Sequence, residues 1–287
     1  MKDQAEKLRE RIEKLRRKQK TITIAVVSGK GGVGKSNFSL NFALGLAKEN
    51  ASVLLFDMDI GMGNIDILMG VAPNRTLVDM FESNASLKDI IEKGANNLSF
   101  IAAGTGLSSI FKLDQNKFER FITQFEELIE DYEYVIFDMS AGITDESMQF
   151  ILASNEVFVI TTPEPTSITD AYAVMKYIYL KESQTPYYLV VNKAYNAKQA
   201  QSTANRLGNT VKRFLNKDVV ILGDLPEDRT VTKAVSHQMP FLLYAPDSNV
   251  SRSMINIVER YLKHRYDESY PTSSYTFISK LRRYFSL

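Results

Sequence analysis

The sequence predicts an α/β fold of three layers, with a mostly parallel central sheet covered by helices on both faces. Three observations predict it. Short apolar runs alternate with amphipathic helical segments along most of the chain, the pattern of repeated strand–helix–strand units. Runs such as Val53-Leu54-Leu55-Phe56 and Val157-Phe158-Val159-Ile160 are continuously apolar, which suits strands buried on both faces. The stretch Gly29-Lys30-Gly31-Gly32-Val33-Gly34-Lys35-Ser36 stands between a strand-like and a helix-like segment and fits G-x-x-x-x-G-K-[ST], a nucleotide-phosphate loop.

The elements follow in order. Residues 1–20 predict a charged helix with a narrow stripe of Ala5, Leu8, Ile12 and Leu15, too short to be stable alone. Strands are predicted at 22–27, 52–57, 98–102, 134–138, 156–161, 187–192 and 219–222 from their apolar, β-branched content. Helices are predicted at 36–48, 76–81, 86–92, 115–130, 145–153, 167–181, 198–215, 230–236 and 250–264. The first of these carries Phe38, Phe42 and Leu46 on one face. Residues 265–274, polar and holding Pro271, read as a flexible linker. Residues 275–287 form a last amphipathic segment. The domain reading is therefore 1–20, a body at 21–264, the linker at 265–274 and the terminal helix at 275–287.

Composition narrows the function. The 287 residues suffice for one large α/β domain with appendages. Cysteine is absent, so the chain supplies no disulfide, thiolate zinc site or iron–sulfur cluster. No apolar run approaches the roughly eighteen residues of a membrane span, and no signal-peptide core is seen. A cytoplasmic location, or the cytoplasmic face of a membrane, is expected. The net charge of +1 hides a division: residues 1–20 carry +5 and residues 275–287 carry +3, leaving −7 on the 254 residues between. An acidic body argues against a general nucleic-acid surface, and the basic ends point to separate tasks.

The chemistry gathers at strand ends. In a phosphate loop the glycines let backbone N–H groups close around phosphate oxygens. Lys35 reaches the β- and γ-phosphates, and the Ser36 hydroxyl holds Mg²⁺. Gly29 through Asn37 form the cofactor-binding segment at a helix N-terminus. Asp57 and Asp59 follow one strand run and Asp138 follows another; C-terminal strand ends of a parallel sheet meet in one crevice. Asp138 has the place of a Walker B carboxylate, and Asp57 or Asp59 positions water or supports the metal. Gly61-Met62-Gly63-Asn64 and Ser140-Ala141-Gly142-Ile143-Thr144 are placed to sense the terminal phosphate. Asn192 is suited to pair with the adenine edge, and Pro226, with Glu227 and Asp228 after it, to flank the ring. His237 and His264 form no cluster.

These residues resemble a known family. Lys30-Gly31-Gly32-Val33-Gly34-Lys35-Ser36 is similar to the deviant Walker A motif of the MinD/ParA-type ATPases. Asp57-Met58-Asp59 through Asp66 resembles their switch I, Asp138-Met139-Ser140-Ala141-Gly142 their switch II, and Asn192 with Pro226-Glu227-Asp228 their base-binding loops. The resemblance runs over about residues 21–264. It implies a Mg²⁺-dependent ATPase that forms an ATP-dependent sandwich homodimer, with Lys30 reaching the partner's phosphates. It implies Asp59 as the hydrolytic switch residue, Asp57 as support for Mg²⁺, and Asp138 acting through the metal's water shell.

The tails resemble one subfamily, the flagellar-number regulators of the FlhG type (also YlxH or FleN). Asp3-Gln4-Ala5-Glu6-Lys7-Leu8-Arg9 is similar to their D-Q-A-x-x-L-R activator motif. That implies stimulation of an FlhF-type signal-recognition-particle GTPase, with Gln4 reaching toward its catalytic site, Leu8 anchoring and Arg9 making a charged contact. Phe277, Ile278, Leu281, Tyr284 and Phe285 share one helical face flanked by Lys280, Arg282 and Arg283, which suits an anionic membrane. Flagellar C-ring switch proteins are implied as further partners. The competing expectations are a cell-division-site ATPase of the MinD type, a plasmid- or chromosome-partition ATPase of the ParA type, and a scaffold without hydrolysis.

Overall fold

The computed structural model describes residues 21–59, 63–83, 85–104, 115–142, 144–267 and 274–285. The expected activator segment at 1–20 lies outside them, as do Ile60, Gly61 and Met62 of the expected switch I, Ile143 of the second glycine-containing loop, residues 268–273 of the expected linker and residues 286–287 of the terminal segment.

Its strands are β1 (Ile22–Val27), β2 (Val53–Met58), β3 (Glu92–Lys93), β4 (Ser99–Ile101), β5 (Tyr134–Met139), β6 (Glu156–Thr161), β7 (Tyr187–Ala194) and β8 (Val219–Pro226). The helices before β5 are α1 (Lys35–Lys48), α2 (Ile65–Met69), α3 (Leu77–Glu82) and α4 (Gln115–Ile129). After it come α5 (Asp145–Ala153), α6 (Pro165–Lys181), α7 (Ala197–Leu215), α8 (Arg229–Ser236), α9 (Phe241–Tyr244), α10 (Asn249–Asp267) and α11 (Ser274–Phe285).

The strands lie in the order β3-β4-β2-β5-β1-β6-β7-β8. All pairings are parallel except β3 with β4. From β1 the chain crosses outward to β2 and β4, returns to β5, and continues on the other side through β6 to β8. That reversal opens a crevice at the C-terminal ends of β1, β2 and β5, where such sheets hold ligands.

Each strand feeds two cores, because successive side chains point to opposite faces. Val157 and Val159 of β6 join the cluster under α4–α7, while Phe158 and Ile160 join the cluster under α1 and α10. The continuously apolar runs are thus explained by two buried faces.

Some expected boundaries move. The helix expected at 86–92 shrinks to a 3₁₀ turn at Lys88–Ile90, because Glu92 and Lys93 pair with β4 at the sheet edge. Helices α2 and α9 were not legible from periodicity; each is about one turn long. Helix α10 runs to Asp267, into the expected linker, because Arg265 is an anchor. It pairs with the buried Glu156 at the start of β6, which also accepts the Tyr261 hydroxyl at 2.8 Å. Burial pushes the Glu156 carboxyl up, against the pull of Arg265.

Helix α11 packs on the body. Phe277, Ile278 and Leu281 are buried in the core beneath α4–α7. The Phe277 ring stacks on Phe137 at 5.4 Å, and Phe285 stacks on Phe118 at 3.9 Å. Lys280 pairs with Glu182 at 3.3 Å and Arg282 with Glu126 at 3.2 Å. In this structure the face expected to meet a membrane is covered by the protein itself; Arg283 stays exposed, and Tyr284 and Phe285 are half-buried.

Candidate functional site

The phosphate loop joins β1 to α1. Gly32 and Gly34 adopt left-handed backbone conformations, with φ of 76° and 90°, which glycine takes without a steric penalty. A Cβ on Gly29 would fall 2.2 Å from the Asp170 backbone, so α6 packs there only against a glycine. Helix α1 has Gly34 at its N-cap position, with no side-chain cap and no acid in its first turn. Its N-terminal amides therefore remain open to an anion, supported by the helix dipole.

Beneath the loop lies a buried charge cluster. Lys35 Nζ donates to Asp138 Oδ1 at 2.7 Å, and the Ser39 hydroxyl donates to the same oxygen at 2.8 Å. Asp138 Oδ2 is buried without a hydrogen-bond partner among the described residues. Asp57 is the Cα register partner of Asp138 across β2 and β5. Its Oδ1 accepts the Asp59 N–H at 3.0 Å, and its Oδ2 accepts those of Asn64 and Ile65 at 3.0 and 3.2 Å. Asp57 thus ties both ends of the first glycine-containing loop and caps α2. Burial, then the Asp138 charge, raise its carboxyl to about 7. Burial also raises the half-exposed Asp59.

A cavity of about 930 Å³ opens over this cluster. Lys30, Gly31 through Asn37, Asp59, Asn192 and Pro226-Glu227-Asp228 all line it, so the structure gathers nearly every sequence-predicted nucleotide residue. Asp57 and Asp138 do not reach its wall; both are buried. Ser36, Asp57 and Asp138 offer the hard oxygen donors Mg²⁺ prefers. The partnerless Asp138 Oδ2 fits a cation's hydration shell. Among the described residues no three acidic or histidine side chains gather as a metal site by themselves.

Three further expected site residues have protein partners. Lys30 pairs with Glu164 at the start of α6 and donates to the Thr166 hydroxyl at 3.3 Å. Asn192 donates its amide to the Val33 carbonyl at 2.7 Å. Asp228 caps α8 by accepting the Thr230 N–H at 2.8 Å. Asn192 and Pro226 also lie inside β7 and β8, which run past the expected ends at 192 and 222. Reasoning from sequence missed Ser39, Glu164 and Lys193, which the fold brings to the loop. Only Lys193, next to Asn192, carried a local signal. His264 stacks edge-on against Tyr188 and His237 accompanies Tyr244, both away from this cluster.

Comparison with known proteins agrees with this geometry. A family profile described as ParA, NUBPL iron-transfer P-loop NTPase, matches residues 19–262. The antiactivator FleN of Pseudomonas aeruginosa is 33% identical over 237 residues, 83% of this chain and 85% of that protein. The flagellum site-determining protein YlxH of Helicobacter pylori is 31% identical, covering 84% of this chain and 81% of that protein. The septum site-determining protein MinD of Pyrococcus horikoshii, solved with Mg-ADP, is 25% identical with a TM-score of 0.71 over 87% of this chain and all of that one. The iron-transfer part of the profile's description finds no thiolate ligand here, since the sequence has no cysteine.

Proposed function

The chain belongs to the MinD/ParA family of P-loop ATPases, and from that premise we propose an ATP-hydrolysing switch that sets flagellum number and placement. In this reading it dimerises with ATP, binds the cytoplasmic membrane peripherally and stimulates an FlhF-type GTPase through residues 1–20. The observation that carries the ATPase part is the buried Lys35–Asp138 pair beneath an uncapped helix N-terminus. Support for the flagellar part comes from the likeness to the flagellum site-determining protein YlxH and from the Asp3-Gln4-Ala5…Leu8-Arg9 motif.

The residues divide the work. Lys35 leaves Asp138 for the β- and γ-phosphates of ATP. Ser36 would hold Mg²⁺, with Asp57 in support and Asp138 acting through its water shell, and the ion would supply charge neutralisation at the phosphates. Asp59 orients the attacking water, and the open amides of α1 take up negative charge. Lys30 exchanges Glu164 for the partner's phosphates. Lipid binding through Phe277, Ile278, Lys280, Leu281, Arg282, Arg283, Tyr284 and Phe285 requires α11 to leave its seat. Two such helices in a dimer bind more tightly than one. C-ring switch proteins are the proposed cargo.

A second reading, a cell-division ATPase, is supported by the likeness in fold to the septum site-determining protein MinD. One experiment separates the two: GTP hydrolysis by the FlhF-type GTPase with and without a peptide of residues 1–20. Stimulation that disappears with Gln4→Ala supports the flagellar assignment. Failure of a soluble wild-type peptide at high concentration removes it and leaves the ATPase assignment standing.

A further inference from the structure

Two neighbouring side chains at the end of β7 grip the phosphate loop. Asn192 donates to the Val33 carbonyl, and Lys193 Nζ donates to the Gly32 carbonyl, each at 2.7 Å. Asn192 Oδ1 in turn accepts the Lys193 N–H at 2.9 Å, which orders the pair. Lys193 holds a left-handed backbone with φ of 57°, within the register shift of the β7–β8 ladder between Val191 and Ala194. Such a conformation is unfavourable for a residue with a side chain and persists where the surroundings demand it. Here it turns the lysine back over the loop. Gly34 must also be a glycine, since a Cβ there would stand 2.3 Å from the Asn192 amide nitrogen.

We propose that Lys193 is a positioning residue for the phosphate loop. A trans peptide is planar, with its carbonyl and the following N–H pointing in opposite directions. Drawing the Gly32 and Val33 carbonyls toward β7 therefore aims the Val33 and Gly34 amides the other way. Two consecutive donors are set before any ligand arrives, so binding need not order them. Lys193 also lines the cavity wall beside Asn192. The base end of the cavity and the phosphate end are joined through these two residues. The proposal rests on residues 29–36 being a nucleotide-phosphate loop, and it assigns to Lys193 a role in shaping that loop.

The test compares Lys193→Gly, Lys193→Asn and Lys193→Arg. Glycine and asparagine tolerate the left-handed backbone, so both keep the fold, checked by thermal unfolding, and lose the long donor. Calorimetric titrations use Mg-ATP and, separately, inorganic tripolyphosphate. Lys193→Gly and Lys193→Asn are expected to weaken both about tenfold, while Lys193→Arg stays within about threefold. The apparent KM for ATP rises and kcat is kept. In the nucleotide-free protein, hydrogen exchange at residues 31–35 speeds up in the glycine variant. This last readout does not depend on nucleotide binding, so failure of wild type to bind ATP would count against the loop assignment separately. Wild-type affinity for both probes in the glycine variant, with unchanged exchange, overturns the proposal. So does a loss confined to ATP, which would make Lys193 a contact to the nucleoside.

Discussion

The two ends of the central sheet each bury a carboxylate against a cation, with opposite results. At the N-terminal end Glu156 meets Arg265 and Tyr261, and both of its oxygens are partnered. At the C-terminal end Asp138 meets Lys35 and Ser39, yet one oxygen has no hydrogen-bond partner among the described residues and Asp57 lies alongside. A buried charge is tolerated when its hydrogen bonds are complete. The first arrangement closes the molecule, holding the last helix of the body to the sheet. The second stays incomplete beneath a cavity, and that incompleteness is what a phosphate and its cation can complete.

Substitutions at the two ends should separate these roles. The largest effect is expected from Lys35→Ala, which removes the phosphate ligand and leaves two acids buried together. ATP affinity should fall at least about a thousandfold, or ~4 kcal/mol, in a calorimetric titration, and ATP-dependent dimers should vanish in light scattering. Persistent dimers would contradict the assignment. Glu156→Ala should do the reverse. Stranding Arg265 is expected to cost about 3–5 kcal/mol in urea unfolding, with ATP affinity kept within about twofold. A matching loss of affinity would mean that the two ends are coupled.

Phe118→Ala sharpens the comparison at a third place, the seat of α11. Loss of the buried ring on which Phe285 stacks should cost about 3 kcal/mol, read as faster hydrogen exchange across α11. Sedimentation with anionic vesicles should rise without nucleotide, and unchanged pelleting would separate seating from lipid binding. Asp57→Asn tests the carboxyl raised to about 7 by burial. The folded state holds that proton more tightly than the unfolded chain, so stability from this group falls as pH rises. Relative to Asp57→Asn, the nucleotide-free wild type should lose stability between about pH 4 and pH 7 and then level off; a flat difference would refute the shift. The smallest effect is expected from Glu164→Gln. Releasing Lys30 at this exposed pair should lower the ATP concentration for half-dimerisation by about threefold, and an increase would show that Glu164 assists the dimer.

Much of the site was legible because its chemistry is local in the chain. Gly29 through Ser36 announce themselves by spacing, and Asp57, Asp59 and Asp138 by their place after apolar runs. Asn192 and Pro226 were found as cavity residues, although β7 continues past Asn192 and β8 extends as far as Pro226. Ser39, Glu164 and Lys193 were missed. A serine inside a helix, or a lysine after a strand, looks the same whether it faces water or a phosphate loop. The short β3 and α2 were missed because pairing with β4 and capping by Asp57, rather than periodicity, hold them in place.

The sequence by itself determined the layered α/β architecture, the phosphate loop and the family. Those depend on side-chain period and on motifs a few residues long, which local sterics and hydrophobic burial translate directly into strands, helices and turns. Tertiary structure alone decided which charges meet across the sheet, that Lys30 rests on Glu164, and that Asn192 and Lys193 turn inward to the loop. It also decided where the last helix puts its apolar face. A basic amphipathic helix satisfies a bilayer and a groove of phenylalanines by the same burial of apolar surface. Only the presence of that groove, assembled from α4, α5 and β5 far away in the chain, selects between them.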